Sequence, residues 1–138
     1  MTLSADQRRE QAKVEYDAFL AGCPSQQLLA VLADKWVCLV VVALRDGALR
    51  HSELARRIPS VSQKMLTQTL RGLERDGLVT RSITASVPVR VDYALTPLGG
   101  DLGGLLRQLK AWAEEHMSEV LSAREAHDGA RLLHEVGV

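Results

Sequence analysis

The stretch HSELARRIPSVSQKMLTQTLRGLERDG, residues 51–77, decides the fold. Residues 52–58 put Leu54, Ala55 and Ile58 on one side of a short helix that Pro59 stops. Pro59-Ser60-Val61 makes a tight turn, and Ser62 is a good N-cap for a second helix. Met65, Leu66, Thr69, Leu70 and Leu73 then recur at helical spacing until Gly77, a residue suited to terminate a helix. Two short amphipathic helices across a tight turn form a helix-turn-helix. In the second helix Met65, Leu66, Leu70 and Leu73 are predicted to face the core, with Gln63, Lys64, Thr67, Gln68 and Arg71 facing out. Glu74 and Arg75, at its C-terminal end, are expected to pack or pair.

Downstream, Val79–Thr84 and the alternating run Val89–Leu95 read as the strands of a hairpin. A hairpin behind a helix-turn-helix is a wing, and Arg90 falls near its turn beside Val87-Pro88-Val89. Thr96-Pro97 caps and opens a long helix, in which Leu98, Leu102, Leu105, Leu106, Leu109, Trp112, Ala113, Met117 and Val120 step by three and four. About 26 residues of helix span ~39 Å, long enough to overreach the domain and pack on a partner. Residues 123–138 are expected to be a loosely held, flexible tail. Upstream, residues 5–21 read as a helix, and Pro24 opens another that runs through Leu28, Leu29, Val31 and Leu32. The run Trp36–Leu44 admits either a strand, from its valines, or a buried helix. The expected fold is therefore mainly α with a small β-hairpin. An N-terminal helix occupies 1–22, a winged helix-turn-helix core 23–96, a C-terminal helix 97–122 and the tail 123–138.

With 138 residues, the chain has the length of one compact domain. Its 46% apolar and 25% charged content is that of an ordinary globule. The first twenty residues are too polar for a signal peptide, and the longest apolar run, nine residues, is far short of a membrane helix. A cytoplasmic protein is expected. Seventeen basic groups balance seventeen acidic ones, but not evenly along the chain. Residues 35–90 hold ten basic and four acidic groups, whereas both flanks are net acidic. A basic middle on a neutral scaffold points to a polyanion. Thirteen of the basic residues are Arg, the side chain suited to bidentate phosphate or guanine contacts.

The outward face of the second helix has the chemistry to read duplex DNA. Gln suits adenine, Arg or Lys suits guanine, and the Thr methyl suits thymine. The helix N-terminus near Ser62 suits a phosphate, and an α-helix fits the major groove. Arg56, Arg57 and Arg81 on neighbouring elements add backbone contacts, and Arg90 on the wing is placed to enter the minor groove. Single strands are a poor fit, because stacking needs exposed aromatics. The chain has only five, and Trp36 and Tyr93 lie in apolar patterns.

Taken together, Cys23-Pro24, Lys35-Trp36, Arg50-His51-Ser52-Glu53-Leu54, the run Ile58–Thr67, the run Leu70–Val79 and the run Val87–Thr96 resemble the HxlR-type family of bacterial winged-helix transcriptional regulators, relatives of the MarR-like repressors. The resemblance covers about residues 23–113. It implies that Trp36–Leu44 is helical, that Ser62–Asp76 is the recognition helix and that the protein is a homodimer. The dimer is expected to form through the N-terminal helix, with Val14 and Phe19, and the C-terminal helix, with Leu102, Leu105, Leu106, Leu109 and Trp112. The chain departs from the family pattern at Ala33-Asp34 in place of two small Gly, and at His51 in place of an aromatic. Thr84-Ala85-Ser86 replaces an aromatic and acidic segment, and Val89 a second Pro.

Cys23 opens a helix, where partial positive charge favours the thiolate; in the resembled family this Cys senses oxidants or electrophiles. Cys38 lies inside an apolar run and reads as core. His51, His116, His127 and His134 lack metal-ligand spacing and read as packing or solvent-facing residues. Gly99-Gly100 and Gly103-Gly104 lack a phosphate-binding spacing and read as a close helix approach at a dimer interface. No nucleophile elbow, Walker sequence or carboxylate pair supports an enzyme, and no cofactor or metal is expected. The expectation is a homodimeric repressor on double-stranded operator DNA, answering to an oxidant at Cys23 and not associated with membranes. Alternatives are a regulator that binds a small ligand with Cys23 inert, and a winged helix used to bind proteins.

Overall fold

The computed structural model describes residues 2–135, the side chain of Leu20 excepted. Six α-helices and three strands run in the order α1 (Ala5–Gly22), α2 (Pro24–Leu32), α3 (Lys35–Ala43), β1 (Leu49–Arg50), α4 (His51–Arg57), α5 (Gln63–Arg75), β2 (Val79–Thr84), β3 (Arg90–Leu95) and α6 (Pro97–Glu135), with a single 3-10 turn at Leu44–Asp46. Among the described residues, no single helix is long and apolar enough to cross a membrane.

The ambiguous run is helical. Asp34 accepts the Trp36 N–H at 2.9 Å as the N-cap of α3, and Val37, Val40 and Val41 are buried from it. A nine-residue segment with one buried stripe satisfies its own backbone, which a lone strand in that place could not. Lys35 Nζ lies 4.6 Å from the Trp36 ring centroid, closing the first turn over the aromatic face.

Leu54 from α4, Ile58 just past its end, Leu66, Leu70 and Leu73 from α5, and Val79 from β2 meet the α3 valines in one core. Met65 does not join them. It is exposed, and Thr69 takes the inward position, turning its hydroxyl back to the Met65 carbonyl at 2.9 Å. Back-bonding satisfies the hydroxyl, so this polar side chain can be buried.

Ser62 Oγ caps α5 by accepting the Met65 N–H at 3.1 Å. At the other end Gly77 N–H donates to the Glu74 carbonyl and Leu78 N–H to the Leu73 carbonyl, a Schellman closure with Gly77 at φ +73°. The turn between α4 and α5 holds Ser60 at φ +74°.

The hairpin has a third strand. Leu49–Arg50 pairs antiparallel with β3, giving the order β1-β3-β2, with Leu49 opposite Tyr93 and Val79 opposite Leu95. Two residues are too few to carry an alternating pattern, so β1 left no periodic signal. From Thr80 onward the wing is exposed to its tip, where the Val87–Pro88 bond is cis.

The C-terminal helix overturns three expectations. It does not give way to a tail at 123 but continues to Glu135, about 58 Å at 1.5 Å per residue. Ala, Arg, Glu and Leu after residue 122 are strong helix formers, and the one interruption, Gly129, is isolated. Residues 136–138 lie outside the described part. Leu106 is 5% exposed in the protomer's own core and so is not free for a partner. Gly99 and Gly103 also serve the protomer. A Cβ on Gly99 would overlap the Leu78 carbonyl, whereas one on Gly103 would only touch the Arg45 side chain; Gly100 and Gly104 face open space. The first turns of α6 thus belong to the core, fastened where Thr96 Oγ1 donates to the Gly77 carbonyl at 2.7 Å and accepts the Gly99 N–H at 3.0 Å.

Candidate nucleic-acid interface

On α5 the buried residues Leu66, Thr69, Leu70 and Leu73 set the direction of the core, and the opposite face is solvent. Successive residues turn about 100°, which puts Lys64, Gln68, Arg71 and Arg75 along the middle of that solvent face, all of them exposed. Gln63 is exposed nearer one edge. Thr67 and Gln68 border opposite sides. Thr67 lines a cleft of about 260 Å³ with Arg71, Glu74, Arg81 and Tyr93, toward the wing, while Gln68 lines a groove toward α2 and α3.

Arg75, expected to pack or pair, does neither. It is exposed and, among the described residues, forms no ion pair; its position four residues after Arg71 is the signal that places it on the same exposed stripe. Glu74 does pair, its Oε2 accepting from Arg81 Nε at 3.3 Å. Arg90 opens β3 rather than tipping the turn, and its Nε lies 3.0 Å from Asp92 Oδ2. Both wing arginines are therefore held by carboxylates. Arg56 is exposed with its Nε donating to the Ser52 carbonyl at 3.4 Å, and Arg57 is exposed beside it. Ser62 contributes through its cap, which takes one of the free N–H groups a phosphate could have used.

Two contacts had no sequence signal. His51 Nε2 lies 3.1 Å from Thr67 Oγ1, joining the first residue of α4 to α5. Glu53 accepts the Arg50 N–H at 3.0 Å, which fixes the start of α4 and holds its carboxyl below the ordinary range, with the Arg50 guanidinium assisting.

Cys23 is the N-cap of α2, half-buried, with its Sγ 3.1 Å from Ser25 Oγ. The Ser25 hydroxyl, then the backbone N–H groups of Gln26 and Ser25, draw its thiol below the ordinary value. Cys38 is the opposite case. Burial first, and then the Asp34 carboxylate, push its thiol up. Both are free thiols. Among the described residues no three His, Cys, Asp or Glu converge as metal ligands.

Val14, Tyr16 and Phe19 on α1 and Leu105, Leu109 and Trp112 on α6 are exposed, whereas Leu102 is half-buried against the core. Exposed aromatics thus lie on α1 and α6 and not beside the basic stripe, where Trp36 and Tyr93 are half-buried.

The family described as HxlR-like helix-turn-helix matches residues 31–121. The HTH-type transcriptional regulator YtfH of Escherichia coli is 41% identical over 111 residues, covering 80% of this chain and 88% of the relative. Among solved structures, a transcriptional regulator ytfH from Salmonella typhimurium superposes with a TM-score of 0.67 at 42% identity, over 76% of this chain and 94% of that one. The redox regulator HypR in its reduced form gives 0.69 at 37% identity, over 72% and 99%. The matched span takes in the core, α5, the wing and most of α6. The chain belongs to the HxlR-like helix-turn-helix family of transcriptional regulators.

Proposed function

We propose that the protein is a homodimeric repressor that binds a pseudo-palindromic operator in double-stranded DNA. The observation that carries this reading is the exposed stripe Lys64, Gln68, Arg71 and Arg75 on a helix capped at both ends. Flanked by Thr67 and Gln63, the stripe combines groups for base edges with groups for phosphate. The wing supplies Arg81 and Arg90, and α4 supplies Arg56 and Arg57. Dimerisation through the exposed faces of α1 (Val14, Phe19) and α6 (Leu105, Leu109, Trp112, with the edge of Leu102) sets the two readers about 34–36 Å apart, one turn of the duplex.

Cys23 is the sensor in this reading. Its thiol is lowered by Ser25 and by the helix start, which raises the share of thiolate, the form that attacks electrophiles and hydroperoxides. Modification there, at the junction of α1 and α2, alters the helix that spaces the readers. The likeness to HypR, a redox regulator by its description, supports the same reading.

Footprinting on the DNA upstream of the protein's own gene tests the whole. Protection of two half-sites, lost on treatment with diamide and retained by Cys23→Ser, is the expected result. Duplex affinity that ignores salt would sink it, since phosphate contacts must release counterions.

A second reading has one specific support. Leu28, Val31, Leu78, Leu98, Leu102 and Leu105 line an apolar groove of about 410 Å³ between α2 and α6, a size that admits a small ligand. A response to such a ligand that survives Cys23→Ser would favour it over the redox sensor.

A further inference from the structure

Thr67 and Thr69 stand on the same helix and dispose of their hydroxyls differently. Thr69 is buried and bonds back to its own helix at the Met65 carbonyl, 2.9 Å away. Thr67 is half-buried and has no such bond; its Oγ1 is turned sideways to His51 Nε2 on α4, 3.1 Å away. Threonine in a helix divides between two χ1 settings because its hydroxyl can reach the carbonyl of the preceding turn. For Thr67 that carbonyl belongs to Gln63. His51 removes the choice. Strand β1 and the start of α4 fix the backbone that carries the imidazole, since Leu49 and Arg50 pair with Tyr93 and Asp92 and Glu53 holds the Arg50 N–H.

Thr67 also occupies a reading position. It lies in the N-terminal half of α5, the part of a recognition helix that meets base edges, and borders the cleft between α5 and the wing. With Oγ1 committed to α4, the methyl is the part of the side chain left for a ligand. A threonine methyl matches the 5-methyl of thymine.

We propose that His51 is a positioning residue: by holding the Thr67 hydroxyl it fixes the Thr67 methyl as a reader, so that one position in each half-site is recognised as thymine through its 5-methyl group. The proposal rests on α5 being the major-groove reader. His51 itself touches no base.

The test uses the full-length protein and duplexes selected by it from a random pool. Each thymine of the selected site is replaced singly by uracil, which removes only the methyl, and binding is titrated by fluorescence anisotropy. One thymine per half-site is expected to lose about 4-fold in affinity, the ratio corresponding to ~0.8 kcal/mol for one buried methyl(ene) group. In His51→Phe that sensitivity disappears while other positions keep theirs, because the freed hydroxyl turns to the Gln63 carbonyl and carries the methyl with it. Thr67→Ser loses it as well. Adding Thr67→Val to His51→Phe restores it, since valine presents a methyl in either setting. A purely structural role for His51 would lower affinity for every duplex alike and would not be rescued by valine. His51→Leu is the second variant, with the same expectation, should His51→Phe lose its cooperative melt. Full thymine preference in His51→Phe or His51→Leu, or no uracil-sensitive thymine in the unmodified protein, overturns the proposal. Failure to titrate any duplex would instead remove the reading of α5 on which it rests.

Discussion

Lys64, Arg71 and Arg75 on α5 have no carboxylate partner among the described residues, whereas Arg81 and Arg90 on the wing lie 3.3 Å and 3.0 Å from Glu74 and Asp92. The two regions also differ in anchorage. Four of the thirteen residues of α5 are buried, while β2 buries only Val79, the hairpin is exposed from Thr80 to Arg90, and the rest of β3 is half-buried. A rigid element carries free charge, and a lightly held one carries neutralised charge. The physical lesson concerns order of engagement. If α5 and the wing meet DNA as proposed, a helix anchored by its core offers cations without rearrangement, while each wing arginine would first exchange a carboxylate for a phosphate. Exposed ion pairs are weak, at about 0–1 kcal/mol, so that exchange is affordable on contact with a duplex and not before.

The widest separation between the two regions should appear in stability. Leu66→Ala, at a fully buried position of α5, is expected to cost about 3 kcal/mol in urea denaturation. Ile83→Ala on the exposed wing strand is expected to stay within ~0.5 kcal/mol. Equal losses would mean that the wing is part of the cooperative core. Gly77→Ala comes next, because φ +73° at the end of α5 is a left-handed setting that costs a side chain about 1–2 kcal/mol. A melting temperature unchanged by that substitution would show that the Schellman closure does not anchor the reader.

Charge is the finer contrast. Arg71→Ala should weaken duplex binding about 10-fold and lower the slope of log K against log salt by about 1. Glu74→Gln should do the reverse on a smaller scale, raising affinity for unrelated duplexes about 2–3-fold by freeing Arg81. If Glu74→Gln weakened binding instead, the ion pair would be holding Arg81 in its working position. The smallest effect expected is at Glu53, whose carboxyl is held below its ordinary value chiefly by the Arg50 N–H. A depressed folded-state pKa gives stability that is present above the unfolded-state value and lost as pH falls through the folded one. Glu53→Gln should therefore lower the melting temperature at neutral pH, and the gap should close on acidification below the carboxylate range.

Reading along the chain was enough for the helix-turn-helix, because Leu54, Ile58, Leu66, Leu70 and Leu73 repeat at the period of the structure they form. The same periodicity misplaced Met65, since it records apolarity and not that the Thr69 hydroxyl can be satisfied by its own helix and so be buried. Composition signalled a basic middle segment but not that Arg81 and Arg90 are neutralised, because Glu74 lies seven residues from Arg81 and meets it only when β2 folds beside α5. The contact of His51 with Thr67 spans sixteen positions of the chain and left no trace in it.

By itself, the sequence determined the two helices of the helix-turn-helix, the two long strands of the wing, and where α5 begins and ends, because caps, glycines and apolar spacing act locally on the backbone. Only the tertiary structure decided that Glu74 neutralises Arg81, that Gly99 is pressed against the Leu78 carbonyl, and that His51 meets Thr67. Those properties depend on distances between groups far apart in the chain, and such distances exist only once the core has closed.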